Sequence, residues 1–464
     1  MLTPPKIVIL GAGSAVFGQR AISAILRSER LRGADLHLVD IDEQPLELMT
    51  QLAEVMNREW GSGARISSTT RRREALPGAD FVIVSVQVGP REEVWEKDWR
   101  IPLNHGIRQP YAENSGPGAL AHTARNLPLI MAIADDMQEL CPDALFMNYV
   151  NPLIRLTLAI RRYSEVPVVG MCHQLLWGYA MAAALLADRY GIEVPPDVKI
   201  DTNHEHRHFR EPLMAAGLKH LDIKAAGINH FSWAYDIRDK ETGEDLYPEL
   251  RENWLKPERE RFEPLSRDIF KIFGLMPTPS DSHLCEFLPH VHDPIKKPWE
   301  KYGLHTQSWT GNHKRRADRR AVAQAIVDGK ESVETLRNLR SEGVPEVIEG
   351  IHANLNTYIH QLNLPNDGLI PNLPDDAIVE VPGMSSGLGV RGLQMPPLPE
   401  PIAELCRREI AYSSLVVDAC YHGDRELALQ ALLLDPTVND IDTARAVLDD
   451  LLTEFAEYMP QFHR

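Results

Sequence analysis

Long apolar runs are missing from this 464-residue sequence; none approaches the length needed to cross a membrane. Basic charge is scarce relative to acid: 49 Lys and Arg against 66 Asp and Glu give a net charge of −17. That balance argues against nucleic acid or an anionic membrane as the main partner. Cysteine is sparse. Cys141, Cys172, Cys285, Cys406 and Cys420 are too scattered for a disulfide framework and suit a reducing compartment. No charged region followed by an apolar stretch precedes the first strand-like segment, so a cytoplasmic protein is expected. Internal repeats and low-complexity tracts are absent as well.

What is present is alternation of strand and helix. Lys6–Leu10 (KIVIL) is a short apolar run, the pattern of a buried parallel strand. A glycine turn ends it, and 16–27 has apolar residues at helical spacing. Strands are expected at 36–39, 80–86, 144–150 and 166–172, and helices at 43–56, 118–140, 153–163 and about 175–190. Such βαβ units predict a Rossmann-type, doubly wound parallel sheet in a nucleotide-binding domain over 1–195. The length of the chain calls for a second domain. Over 196–464 the pattern changes to α+β: strands at 223–236, helix and loop at 251–267, a polar loop-rich stretch at 277–320, extended segments at 365–401, and amphipathic helices at 403–431 and 443–459.

The glycine turn reads Gly11-Ala12-Gly13-Ser14-Ala15-Val16-Phe17-Gly18. Glycines between strand and helix let the backbone approach a pyrophosphate, and the helix N-terminus supplies N–H groups and a positive dipole. The usual third glycine is replaced by Val16, with Gly18 following later. Asp40 ends the second strand, where a carboxylate accepts from the adenosine ribose and favours NAD over NADP. Asp42 is the alternative. Gly11, Gly13, Ser14, Phe17 and Asp40 are the expected cofactor contacts. This much is also compatible with a malate- or lactate-type NAD-dependent dehydrogenase.

Further motifs point away from a plain dehydrogenase. In order they are Gly106-Ile107-Arg108-Gln109, Glu113-Asn114-Ser115-Gly116-Pro117-Gly118, Asn148-Tyr149-Val150-Asn151-Pro152, Gly170-Met171-Cys172-His173, Gly227-Ile228-Asn229-His230-Phe231, Pro371-Asn372-Leu373-Pro374 and Val379-Glu380-Val381-Pro382. As a co-linear set they resemble family 4 of the glycoside hydrolases, the NAD-dependent glycosidases, over nearly the whole chain. That family stands outside the two-carboxylate pattern of glycoside hydrolysis.

The resemblance implies a hydrolysis without net redox change. NAD takes hydride from sugar C3, a base removes the acidified C2 proton, the aglycone is eliminated, water adds, and the hydride returns. A divalent cation, Mn²⁺ by resemblance, stabilises the enediolate. Cys172 and His230 match the family's metal ligands. Asn151, Asn148 and His173 match positions near the sugar. Glu113 stands where relatives usually carry an aspartate that protonates the leaving group. For the base, the matching stretch Ser280–Phe287 offers Asp281 or His283, with Tyr111 a more remote third. His173 directly after the cysteine is similar to members acting on unphosphorylated α-glycosides, such as glucosides and galactosides. Gln174 departs from the glucosidase, galactosidase and galacturonidase patterns. The basic island Asn312-His313-Lys314-Arg315-Arg316 suggests an anionic sugar, a uronide or a sulfoquinovoside, or else a solvated helix face. The closely related NAD-dependent sulfoquinovosidases share the chemistry. Relatives commonly form homodimers or homotetramers, and the same is expected here.

Overall fold

A computed structural model describes residues 3–14, 16–195, 198 and 208–463. The strands among them are β1 (Lys6–Leu10), β2 (Asp35–Val39), β3 (Arg65–Thr69), β4 (Phe81–Val84), β5 (Leu145–Asn148), β6 (Val168–Gly170), β7 (Leu221–Ile228), β8 (Phe231–Asp239), β9 (Met276–Pro277), β10 (Thr357–Pro365), β11 (Ile378–Ser386) and β12 (Gly389–Gly392). The first six are parallel, in the order β3-β2-β1-β4-β5-β6. The winding direction reverses between β1 and β4. Open α/β sheets bind ligands at the carboxyl ends of the strands around such a reversal.

Both faces of this half are covered, which explains the unbroken apolar run of β1. Val8 and Leu10 point into a core shared with the Pro117–Leu140 and Glu400–His422 helices. Ile7 and Ile9 point the other way, against the Phe17–Arg27 and Glu43–Trp60 helices. Burying each such side chain is worth about 1.5–3 kcal/mol. The Glu43–Trp60 helix outruns its expected end and stops at Gly61, whose φ of +64° closes it in the left-handed region.

Beyond β6 the strand polarity changes but the sheet continues. β10 pairs antiparallel with β6 through Asn363 and Gly170. The order then runs β11-β7-β8-β9, with β12 beside β11. One twelve-stranded sheet therefore carries both halves.

Several elements depart from the sequence reading, three of them instructively. β3 (RISST) is an edge strand with mostly exposed side chains, so it lacks the apolar signature. The Arg91–Asn104 helix is rich in charge and contains Pro102. The segment 277–320, expected as loop, holds the start of a long helix, Trp309–Val327. Only Ala323 and Ile326 of that helix are buried, too few to show a period. Among the described residues, no helix is long and apolar enough to cross a membrane.

Candidate active site

Two cavities open at the carboxyl ends of the parallel strands. The first, about 840 Å³, is lined by Gly11, Gly13, Ser14, Phe17, Asp40 and Asp42. Gly11 sits at φ +85°, and a Cβ there would lie 2.1 Å from the Ser85 carbonyl oxygen. Gly18 assumes the packing role of the displaced third glycine: a Cβ there would meet the Ala12 carbonyl oxygen at 2.3 Å. Ser14 Oγ accepts from the Phe17 amide at 3.2 Å where the Phe17–Arg27 helix begins. Asp40 accepts from the amides of Gly13 and Asp42 at 2.9 and 3.1 Å. Asp42 instead caps the next helix through the Gln44 amide at 3.3 Å. The hydroxyl of Tyr149 and Nε of Arg91 are buried without a partner, and both residues line this cavity. A tight glycine turn, a helix N-terminus, a strand-end aspartate and two orphaned polar atoms together fit a dinucleotide.

The second cavity, about 870 Å³, shares a wall with the first, formed by Val16, Phe17, Glu113, Tyr149 and Asn151 among others. Cys172 follows β6. His230 lies in the two-residue turn between the paired Ile228 and Phe231. Across 58 positions of sequence the fold brings Cys172 Sγ and His230 Nε2 to 3.3 Å. His230 adopts φ +63°, a left-handed conformation costing about 1–2 kcal/mol for a residue with a Cβ. The surroundings impose it. Asn229 Nδ2 donates to buried Glu380 at 2.8 Å, and His230 Nδ1 lies 2.9 Å from the Asn114 side-chain amide. With one ring nitrogen held by Asn114, the other is aimed at Cys172.

Burial pushes the Cys172 thiol well up, and the nearby Glu342 and Glu380 push it further. Burial, then His283 and His173, hold the His230 imidazole well below its usual range. A neutral imidazole is already in its ligating form, and the same two glutamates favour a cation over an isolated thiolate. At a separation of 3.3 Å a thiolate and an imidazole could both reach one divalent cation and leave positions open for other ligands. His283 and Glu286 extend the cluster: ligand atoms of His230, His283 and Glu286 lie within 4.8 Å of one another.

The other expected residues divide into two groups. Glu113 lines both cavities and pairs with Arg91 at 3.2 Å. Asn151 lines both as well, and His173 lines the second, with its Nδ1 against Glu342. His283 also lines the second cavity; its ring is 4.7 Å from that of His230 and 5.0 Å from that of Tyr111. Asp281 is not brought into the cavity wall. Its carboxylate accepts from the Leu265 amide at 2.9 Å and from the Ser266 amide and hydroxyl at 2.7 Å, anchoring the start of the Pro264–Phe273 helix. Asn148 is fully buried behind the site, where it accepts from the Val150 amide and donates to Thr157.

Two contributors escaped the sequence reading, and a third, Gln174, was noted there without a structural role. Glu286 is completely buried and accepts from His283 Nδ1 at 2.7 Å, which makes Nε2 the acceptor nitrogen of a neutral ring. A His-x-x-Glu spacing across a helical turn is its one sequence signal. Asn114 orients His230 and is itself pinned: buried Arg155 donates to its carbonyl at 2.8 Å. Gln174 is buried in the second cavity with Nε2 unpartnered, a donor available to a sugar oxygen.

Comparison with known proteins agrees with this geometry. Residues 6–186 match the family 4 glycosyl hydrolases, and residues 225–438 match the C-terminal domain of that family. An α-glucosidase of Erwinia rhapontici is 30% identical, covering 97% of each chain. An α-galactosidase of Bacillus subtilis (strain 168) is 28% identical over 98% of this chain and 99% of its own. Among solved structures, a 6-phospho-α-glucosidase from gut microorganisms in complex with NAD and Mn²⁺ shares the fold, with a TM-score of 0.78, 21% identity and coverage of 99% of this chain and 100% of that one. This chain belongs to family 4 of the glycosyl hydrolases.

Proposed function

We propose that this enzyme cleaves an α-glycoside by an oxidation–elimination–addition–reduction sequence with no net redox change. The observation that carries the reading is the shared wall: Phe17, Glu113, Tyr149 and Asn151 face both the glycine-turn cavity and the Cys172–His230 cavity. A cofactor in one and a sugar in the other would lie side by side.

Gly11, Gly13, Ser14, Phe17 and Asp40 hold NAD, and Cys172 Sγ with His230 Nε2 holds a divalent cation, Mn²⁺ by family resemblance. Bound there, the dinucleotide supplies reversible oxidation at sugar C3 and the cation supplies Lewis acidity at the oxygens of C2 and C3. Asn151 and His173 orient the ring, and Gln174 offers its unpaired N–H to a sugar oxygen. His283 takes the C2 proton at Nε2 while Glu286 accepts from Nδ1, fixing the tautomer. Glu113 delivers a proton to the departing oxygen. Trp177 and the buried base of the cavity around Met171 keep bulk water from the ring.

The test is a panel of aryl α-glycosides assayed with NAD and Mn²⁺ each supplied or withheld. Cleavage is expected only with both, without accumulation of NADH and with solvent deuterium entering at C2. Turnover after removal of both, or NADH rising in step with product, refutes the sequence.

A further inference from the structure

One face of the C-terminal helix is polar, largely buried and turned toward the two segments that carry the acid and the base. Glu409, Tyr412 and Ser413 of the Glu400–His422 helix are buried, and Arg408 stands beside them. Steps of one and four residues place all four on one side of a helix. Tyr412 donates its hydroxyl proton to the Gly116 carbonyl at 3.1 Å, and Arg408 donates to the Phe287 carbonyl at 2.6 Å. Gly116 closes the segment that holds Glu113 and Asn114, and Phe287 directly follows Glu286.

Arg155 extends that face. It lies on the Leu153–Tyr163 helix, is fully buried, and donates from Nε to Ser413 Oγ at 3.3 Å. Its Nη2 donates to the Asn114 carbonyl at 2.8 Å and lies 3.4 Å from the Glu409 carboxylate. Asp435, just beyond the Arg425–Leu432 helix, accepts from the Gly116 amide at 2.7 Å. The two segments are also tied to each other, because Ser115 Oγ donates to the Glu286 carbonyl at 2.6 Å. Three consecutive residues, 114–116, and the pair 286–287 are therefore mounted on one support. None of Arg155, Arg408, Tyr412 and Asp435 lines either cavity.

Stability alone gives little reason for such a support. Arg155 Nη1 and Arg408 Nε are buried without a partner. Apolar residues of similar volume in place of a buried ion pair such as Arg155–Glu409 are often neutral or stabilising. What a guanidinium supplies and an apolar side chain does not is direction, since its donors form a rigid fork that fixes the oxygens it meets. The oxygens fixed here sit next to the chemistry: Asn114 holds His230 Nδ1, and Glu286 holds His283 Nδ1. We propose that Arg155 and Arg408 are positioning residues, which with the 408–413 face of the C-terminal helix set the spacing between the segment of Glu113 and Asn114 and the segment of His283 and Glu286. This rests on the glycosidase reading above for the roles of those four residues.

The test compares the full chain with Arg408→Met and with the double variant Arg155→Met/Glu409→Leu, which removes both charges of the buried pair so that neither is left alone. Arg155→Lys, which keeps the charge and loses the fork, takes its place if the double variant does not fold. Mn²⁺ affinity, read by electron paramagnetic resonance on the NAD-free protein, should fall about tenfold in the Arg155 variant, the low end of the cost of loosening a partner behind a ligand, and stay within about twofold in Arg408→Met. Nitrogen-15 spectra of histidine-labelled protein, with the His283 signals identified by their loss in His283→Asn, should show the Nδ1-protonated tautomer losing population in Arg408→Met. Deuterium entry at sugar C2 should slow about 10- to 100-fold in both, with kcat changing more than KM, as misplacement of reacting groups does. Folded variants that keep the parent's Mn²⁺ affinity, His283 tautomer and C2 exchange overturn the proposal. Equal losses of Mn²⁺ affinity in the two variants indicate general loosening and also overturn it. If the parent itself cleaves no glycoside, the glycosidase reading fails, while metal affinity and tautomer still decide whether the two arginines position the site.

Discussion

Replacing Asp281 and His283 separately discriminates between two residues that lie two positions apart and do different work. Asp281 accepts three hydrogen bonds at 2.7–2.9 Å from the first residues of the Pro264–Phe273 helix. Bonds to a charged acceptor contribute about 1.5–3 kcal/mol each, but freed helix amides recover part of this from water, and loss of a helix cap costs about 0.5–2 kcal/mol. Asp281→Ala should therefore destabilise the fold by about 2–4 kcal/mol, and Asp281→Asn by less, because its carbonyl oxygen still accepts. Neither touches the cavity, so kcat of the folded enzyme should stay within about threefold of the parent. His283→Asn should do the opposite. Its side chain is 17% exposed, and the asparagine amide can still donate to buried Glu286, so stability should fall less than for Asp281→Ala, whereas loss of a general base lowers kcat by about 10²–10⁴. Urea-unfolding midpoints, initial rates on folded protein and deuterium uptake at C2 separate the cases. A folded Asp281→Ala enzyme that has lost C2 exchange, beside a His283→Asn enzyme that keeps it, would refute the assignment of the base.

Three more outcomes follow from the same geometry. Asn114→Ala frees the His230 ring, so Mn²⁺ affinity measured by titration calorimetry or by electron paramagnetic resonance should fall about 10- to 100-fold, the usual cost of removing a partner behind a ligand. Asp40→Ala should weaken NAD binding more than NADP binding and narrow the discrimination between them; unchanged selectivity in fluorescence titrations would show that Asp40 does not contact the ribose. Burial holds His360 down near 4, against 6.5 for a free histidine. The unfolded chain therefore binds this proton first, and stability present above pH 6.5 drains away as pH falls toward 4, by at most about 3 kcal/mol. His360→Gln should flatten that limb in denaturant midpoints measured across the range.

The sequence disclosed the parallel half well because its strands are buried on both faces and its helices have one apolar side. KIVIL, the Leu153–Tyr163 helix and the glycine turn all follow from local periodicity. The continuation of the sheet was not legible. β10 and β6 meet through a single register pair separated by nearly 200 positions, and nothing local in either strand names the other. β3 and the Trp309–Val327 helix stayed hidden because they bury too little to leave a period. Within the site, Cys172 and His230 were found through family motifs, and their meeting at 3.3 Å is a product of the long-range fold. Glu286 and Asn114 act from behind other side chains, and such support carries almost no sequence signature.

The continuity of one sheet from β3 to β9, carried by a single register pair at β6–β10 and at β11–β7, has a bearing on how the enzyme cycles. Many two-part enzymes swing shut on their substrates about a linker, and the distance between cofactor and sugar changes with every turnover. Here a swing would have to tear or shear the joins of β10 with β6 and β11. Chemistry that removes a hydride and later puts it back on the same carbon gains from that stiffness: the span across the shared wall is the same on the outward and the return step, and admission of sugar and release of product fall to side chains and loops at the rim.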